Sequence, residues 1–164
     1  MSHSLLCLCG GSVLLVLVNA ATAGAQGGTC KRLEGFLEET LVSGPACTSA
    51  VGLCTVAKMF GHLKGEAKFT ATAFIPTSDT PATGVVFVTG DTTIVDAKFE
   101  DRRGTLTVKN AAAFNTISGD LVDNQTIIAG TDGFAGATGS LRISGTFLAD
   151  EGGTSKIDGT LCLP

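Results

Sequence analysis

The sequence contains no tryptophan and no tyrosine; its aromatic residues, 5% of the chain, are all phenylalanine. Positive charge is also scarce, with 11 lysines and arginines against 15 aspartates and glutamates and a formal net charge of −4. A nucleic-acid surface needs a basic stripe interleaved with stacking aromatics, and neither is present. The acidic balance favours solubility and gives no attraction to anionic membranes. No glycine-rich segment carries the Lys-Ser/Thr of a phosphate loop, and no G-x-S-x-G elbow presents a serine nucleophile. The apolar run Val13–Val18 is far shorter than the ~20 residues of a membrane-spanning helix.

What is present near the N-terminus has the form of a secretory signal. The short apolar core Val13–Val18 is followed by small residues, Ala23-Gly24-Ala25, suited to cleavage before Gln26. The pattern departs from the usual one in having no lysine or arginine before the core. Residues 1–25 are therefore expected to be a signal peptide and 26–164 one domain, secreted or periplasmic and free of the membrane once processed.

The 22 glycines and many threonines suit short strands and tight turns. Alternation dominates from residue 64 onward. In 66–76, Ala67, Phe69, Ala71, Ala73 and Ile75 share one face, opposite Glu66, Lys68, Thr70, Thr72 and Phe74. Gly104–Val108 alternates. Ser140–Ala149 places Leu141, Ile143, Phe147 and Ala149 inward, and Ser155–Leu163 does so with Ile157, Leu161 and Leu163. Val85–Val88 is apolar throughout, which predicts a strand covered on both faces or beside a bulge. Turn signals fall at 77–81, Gly90-Asp91, 101–104, 118–120 and 151–153. Leu33, Phe36, Leu37 and Leu41 fit a helical stripe, but Leu33, Leu37 and Leu41 also fit a strand face. Gly35 disfavours the helix, so a strand is expected. No helix is expected after residue 60. Seven to nine strands at regular spacing predict an all-β fold, a single antiparallel meander closed into a β-barrel, which leaves no free edges.

Gly130, Gly133, Gly136 and Gly139 fall every third residue. Without proline or further repeats they are no collagen fragment, and they lead into a strand rather than a helix. They read as a barrel corner: a tight turn at Asp132-Gly133, Phe134 plugging the barrel end, and Gly136 and Gly139 allowing close backbone approach.

After the signal, four cysteines remain: Cys30, Cys47, Cys54 and Cys162. An even number in a secreted chain predicts disulfides, with three connectivities available. Closure of the barrel would bring the first and last strands together, favouring Cys30–Cys162 with Cys47–Cys54. Zinc is disfavoured, since no C-x₂-C pair exists and His62 is the one histidine outside the signal.

The segment Ile127–Gly139, IIAGTDGFAGATG, resembles the G-[TS]-G-x-F-x-G-[AV]-x-G corner of the allene oxide cyclase-like barrels, and the plant dirigent proteins carry a similar one. The segment CTSAVGLCT, 47–55, is similar to small secreted bacterial members of that group. The resemblance implies an eight-stranded, calycin-like antiparallel barrel. It carries no catalytic, cofactor-binding or metal-binding residue onto this chain and implies no cofactor. Relatives of this barrel are often dimers or trimers, but no residue here marks an interface.

Three functions follow. The first is a non-catalytic barrel holding a small apolar ligand, because Ala67, Ala71 and Ala73 leave space inside. The second is a cyclase or isomerase of a lipid-derived substrate. Glu39, expected on the face of Leu37 and Leu41, would be its acid or base, while Glu66 falls on the polar face. The bland reading of Glu38 and Glu39 is a solvated strand end. The third is a structural or adhesion module whose interior Phe69, Phe87, Phe99, Phe114, Phe134 and Phe147 fill. His62 reads as a turn residue, Asp101–Arg103 as a charged turn, and Asn124-Gln125-Thr126 as a glycosylation sequon in a eukaryotic setting.

Overall fold

A computed structural model of the protein describes residues 28–164; the expected signal, 1–25, lies outside them. Eight strands follow one another: β1 (Thr29–Leu41), β2 (Cys54–Gly61), β3 (Leu63–Pro76), β4 (Val85–Phe99), β5 (Arg102–Asn115), β6 (Asp120–Gly130), β7 (Thr138–Leu148) and β8 (Gly152–Leu163). Each pairs antiparallel with its neighbours, and β1 pairs with β8, so the barrel is closed. The 33–41 segment is thus a strand. Its inward residues Leu33 and Leu37 are buried, while Phe36 faces out and stacks on Phe60 with ring centroids 4.8 Å apart.

Both disulfides exist, Cys30–Cys162 and Cys47–Cys54. The first bridges two directly paired residues of β1 and β8. No cysteine among the four is therefore a thiolate ligand. Two disulfides fit an oxidising compartment, and no helix among the described residues is long and apolar enough to cross a membrane.

The chain order gives the barrel two unlike ends. At one lie the start of β1 and the ends of β2, β4, β6 and β8. It is filled by Leu33, Leu63, Phe99, Leu106, Phe134 and Leu161, all in one buried cluster. Phe134 belongs to a 3₁₀ turn, Asp132–Phe134, and is fully buried. A side chain at Gly130 would collide with the Phe134 carbonyl oxygen, and Gly136 has a φ of +74°. At the other end lies the 42–53 loop, tied to β2 by Cys47–Cys54 and to β3 by a 2.7 Å bond from the Ser49 hydroxyl to the Ala71 carbonyl.

Five expectations are corrected. Gly90-Asp91 is not a turn but the middle of β4. Gly90 is there because the Phe69 ring lies over it, where a β-carbon would stand, and Asp91 pairs with Lys109 on the outer face. Ala73 and Ile75 do not continue the inward face of β3. The register shifts between Ala71 and Ala73, so Thr72 is an extra residue and parity inverts beyond it. Ile75 is consequently 48% exposed, and its cross-strand partner Phe87 is 47% exposed, so Phe87 is no interior filler. That same bulge lies beside the Val85–Val88 run. Ala149 is exposed in the β7–β8 turn. Finally, a single helical turn, Thr80–Thr83, stands in the β3–β4 connection, where Pro81 presets the helical backbone and Gly84 ends it at a φ of +73°.

Candidate functional site

Two connected cavities occupy the half of the barrel away from Phe134. The inner chamber, about 90 Å³, has walls of Leu37, Ala57, Met59, Ala67, Ile94 and Ile143. The mouth, about 380 Å³, is bordered by Leu41, Val51, Phe74, Thr116 and Leu148. Leu53, Phe114 and Phe147 line both and form the neck between them. Small residues make the space: Ala57, Ala67 and Ala112 occupy inward positions where leucine or isoleucine would close it. Phe74 reaches the mouth because the bulge at Thr72 turns it inward.

The chamber carries polar groups from five strands: Glu39 on β1, Thr55 on β2, Thr92 on β4, Asn110 on β5, and Asp123 and Gln125 on β6. These form two hydrogen-bonded sets. The Thr55 hydroxyl donates to Glu39 Oε1. Across the barrel, the Thr92 hydroxyl donates to Asn110 Oδ1 at 3.0 Å, and the Asn110 amide donates to Asp123 Oδ2 at 2.7 Å. The Gln125 amide donates to the same oxygen at 2.8 Å. Asp123 Oδ1 is buried with no hydrogen-bond partner of good geometry.

Burial pushes both carboxyls above the usual range. For Glu39, desolvation outweighs the Thr55 bond, and the nearby Asp123 charge pushes the same way. For Asp123, desolvation outweighs the amides of Gln125 and Asn110 and the Ala111 backbone. No lysine, arginine or histidine among the described residues lines the chamber, so nothing there neutralises either carboxylate. The arrangement can accept hydrogen bonds, hold a proton and release it in an apolar enclosure.

The structure places Glu39 inside, with Leu37 and Leu41, rather than at a solvated strand end. Glu66 is on the outer face, 3.2 Å from Lys68. His62 is in the β2–β3 turn, where its Nδ1 accepts from the Glu34 backbone amide at 3.1 Å. Asn124 is exposed on the outside of β6. The glycines of the 130–139 corner and Phe134 are at the opposite, filled end and do not line the chamber. Sequence reasoning missed Asp123, Asn110, Thr92 and Thr55. A signal existed for two: Asn110 has the parity of Leu106 and Val108, and Asp123 that of Leu121 and Ile127. A polar residue at an apolar parity marks a barrel interior that is not simply packed. No family model matches the chain, and no curated protein or solved structure matches it. The chemistry of the site therefore rests on its own geometry.

Proposed function

We propose that this is a secreted or periplasmic binding barrel that holds a small, mainly apolar molecule in the chamber and neck. The observation that carries this reading is the asymmetry of the interior. One end is packed solid around Phe134, whereas the other keeps an apolar chamber opening through Leu53, Phe114 and Phe147 to a mouth. Evacuating such a space costs packing energy unless something fills it. The filled structural module is disfavoured by the same space, and the likeness to allene oxide cyclase-like barrels is consistent with an internal ligand.

The test is titration with the neutral apolar dye N-phenyl-1-naphthylamine. Saturable one-to-one binding is expected, lost in Ala67→Leu/Ala112→Leu while circular dichroism stays unchanged. Dye binding that does not saturate, or that survives both substitutions, would overturn the reading.

A second reading, an isomerase or cyclase, is favoured by one observation: two protonatable carboxyls, Glu39 and Asp123, share the chamber. Proton transfer to carbon would leave deuterium in a ligand retained from the host and incubated with the protein in D₂O. Label that appears with the wild type and not with Glu39→Gln supports catalysis; no label leaves a carrier.

A further inference from the structure

We infer that the ligand of this barrel carries a hydrogen-bond-donating head, an amine or a hydroxyl, which docks against Asp123, and that carboxylate-headed molecules are excluded. The inference rests on the binding reading above and names the chemistry of its occupant.

The polar wall of the chamber turns most of its donors on its own acceptors, with one N–H of each side-chain amide left over. The Thr55 hydroxyl is committed to Glu39, the Thr92 hydroxyl to Asn110, and the side-chain amides of Asn110 and Gln125 both to Asp123 Oδ2. The buried atom left without any partner is an acceptor. Asp123 is more than nine-tenths buried, lines the chamber, and has an unpartnered Oδ1. Glu39 adds a second carboxyl from β1, three strands away around the wall.

Buried polar atoms without partners are rare in folded proteins, and one beside a cavity calls for a donor from whatever fills that cavity. A donor head meets that need. An ammonium also meets two carboxyls that no cationic side chain in the lining faces. A carboxylate head would face the two carboxyls with no cationic side chain in the lining to offset its charge. The apolar body would then lie among Leu53, Phe114 and Phe147 toward the mouth.

The experiment displaces the bound dye at neutral pH with three molecules of one chain length: octylamine, octanol and octanoate. Octylamine and octanol are expected to displace it, and octanoate to bind roughly tenfold or more weakly. Octylamine ahead of octanol identifies the head as a cation; equal affinities identify it as read by hydrogen bonding alone. Asp123→Asn exchanges the unpartnered acceptor for an amide donor while keeping the oxygen that Asn110 and Gln125 use. It should weaken octylamine and strengthen octanoate, reversing their order. Glu39→Gln, which leaves Asp123 in place, should weaken octylamine while still favouring it, so the inference survives a folding failure of the first variant. Octanoate bound to the wild type as tightly as octylamine overturns the inference and leaves the binding barrel standing. A protein that binds neither dye nor any of the three overturns the binding reading itself.

Discussion

Glu39 and Asp123 are the residues at which folding and the site's chemistry conflict. Each has its folded pKa raised by burial, so the native state holds those protons more tightly than the unfolded chain does. Their burial therefore carries no ionisation penalty at a pH low enough for both states to be protonated. The stability is lost as pH rises from the ordinary carboxylate range through the raised values. Glu39→Gln/Asp123→Asn should flatten that fall, and thermal melts of the two proteins from pH 3 to 8 should diverge toward higher pH. A constant gap between the curves would show that neither carboxyl is shifted. Gly90 is the other instructive residue. A β-carbon there would meet Phe69 and come within 2.6 Å of the Thr70 carbonyl oxygen. Gly90→Ala should cost about 1–3 kcal/mol, as overpacking does, and should move the Phe69 ring that lines the chamber. Denaturant unfolding gives the first, and loss of dye affinity the second.

At the scale of elements, bulges decide which side chains enter the barrel. Alternation along β5 or β8 predicts the inward face correctly because those strands run without an extra residue of their own. β3 carries one at Thr72, and β6 carries one at Ile128, which is exposed. Each inverts parity beyond it. The 3₁₀ turn after β6 works as a plug instead. Phe134 contributes the one fully buried aromatic ring of the filled end's core, and its removal leaves a void that the closed barrel cannot collapse around. Phe134→Ala should therefore cost roughly 3–5 kcal/mol in urea unfolding. It should leave dye binding intact at low denaturant, since the plug and the chamber occupy opposite ends.

For the whole molecule, closure is what the Cys30–Cys162 bridge secures. It joins residues 132 apart in sequence, whereas Cys47–Cys54 spans 7. On loop-closure entropy the first contributes about 5 kcal/mol and the second about 2.5 kcal/mol. Paired Cys→Ala variants should rank in that order by melting temperature. Loss of the shorter bridge should act mainly on ligand exchange at the mouth, because the 42–53 loop carries Val51 and Leu53. Equal melting temperatures for the two variants would contradict a closure role for the longer bridge.

The residues alone determined the class of fold. Period-two patterning, glycine-marked turns, two pairable cysteines and the glycine-phenylalanine corner are local or compositional features, and they carry into the folded protein except at the Gly90-Asp91 signal, which lies within β4, and beyond the bulge at Thr72. They left Glu39 open between the inner face of the first strand and a solvated strand end, and the structure puts it inside. The tertiary structure decided what lies opposite Glu39. Asp123, Asn110 and Thr92 are far from it along the chain and meet only because the sheet curls into a closed cylinder. Whether the interior is filled or hollow was likewise beyond the sequence. The answer depends on how volumes from strands remote in sequence sum across the barrel, and on bulges whose single extra residues leave no periodic trace.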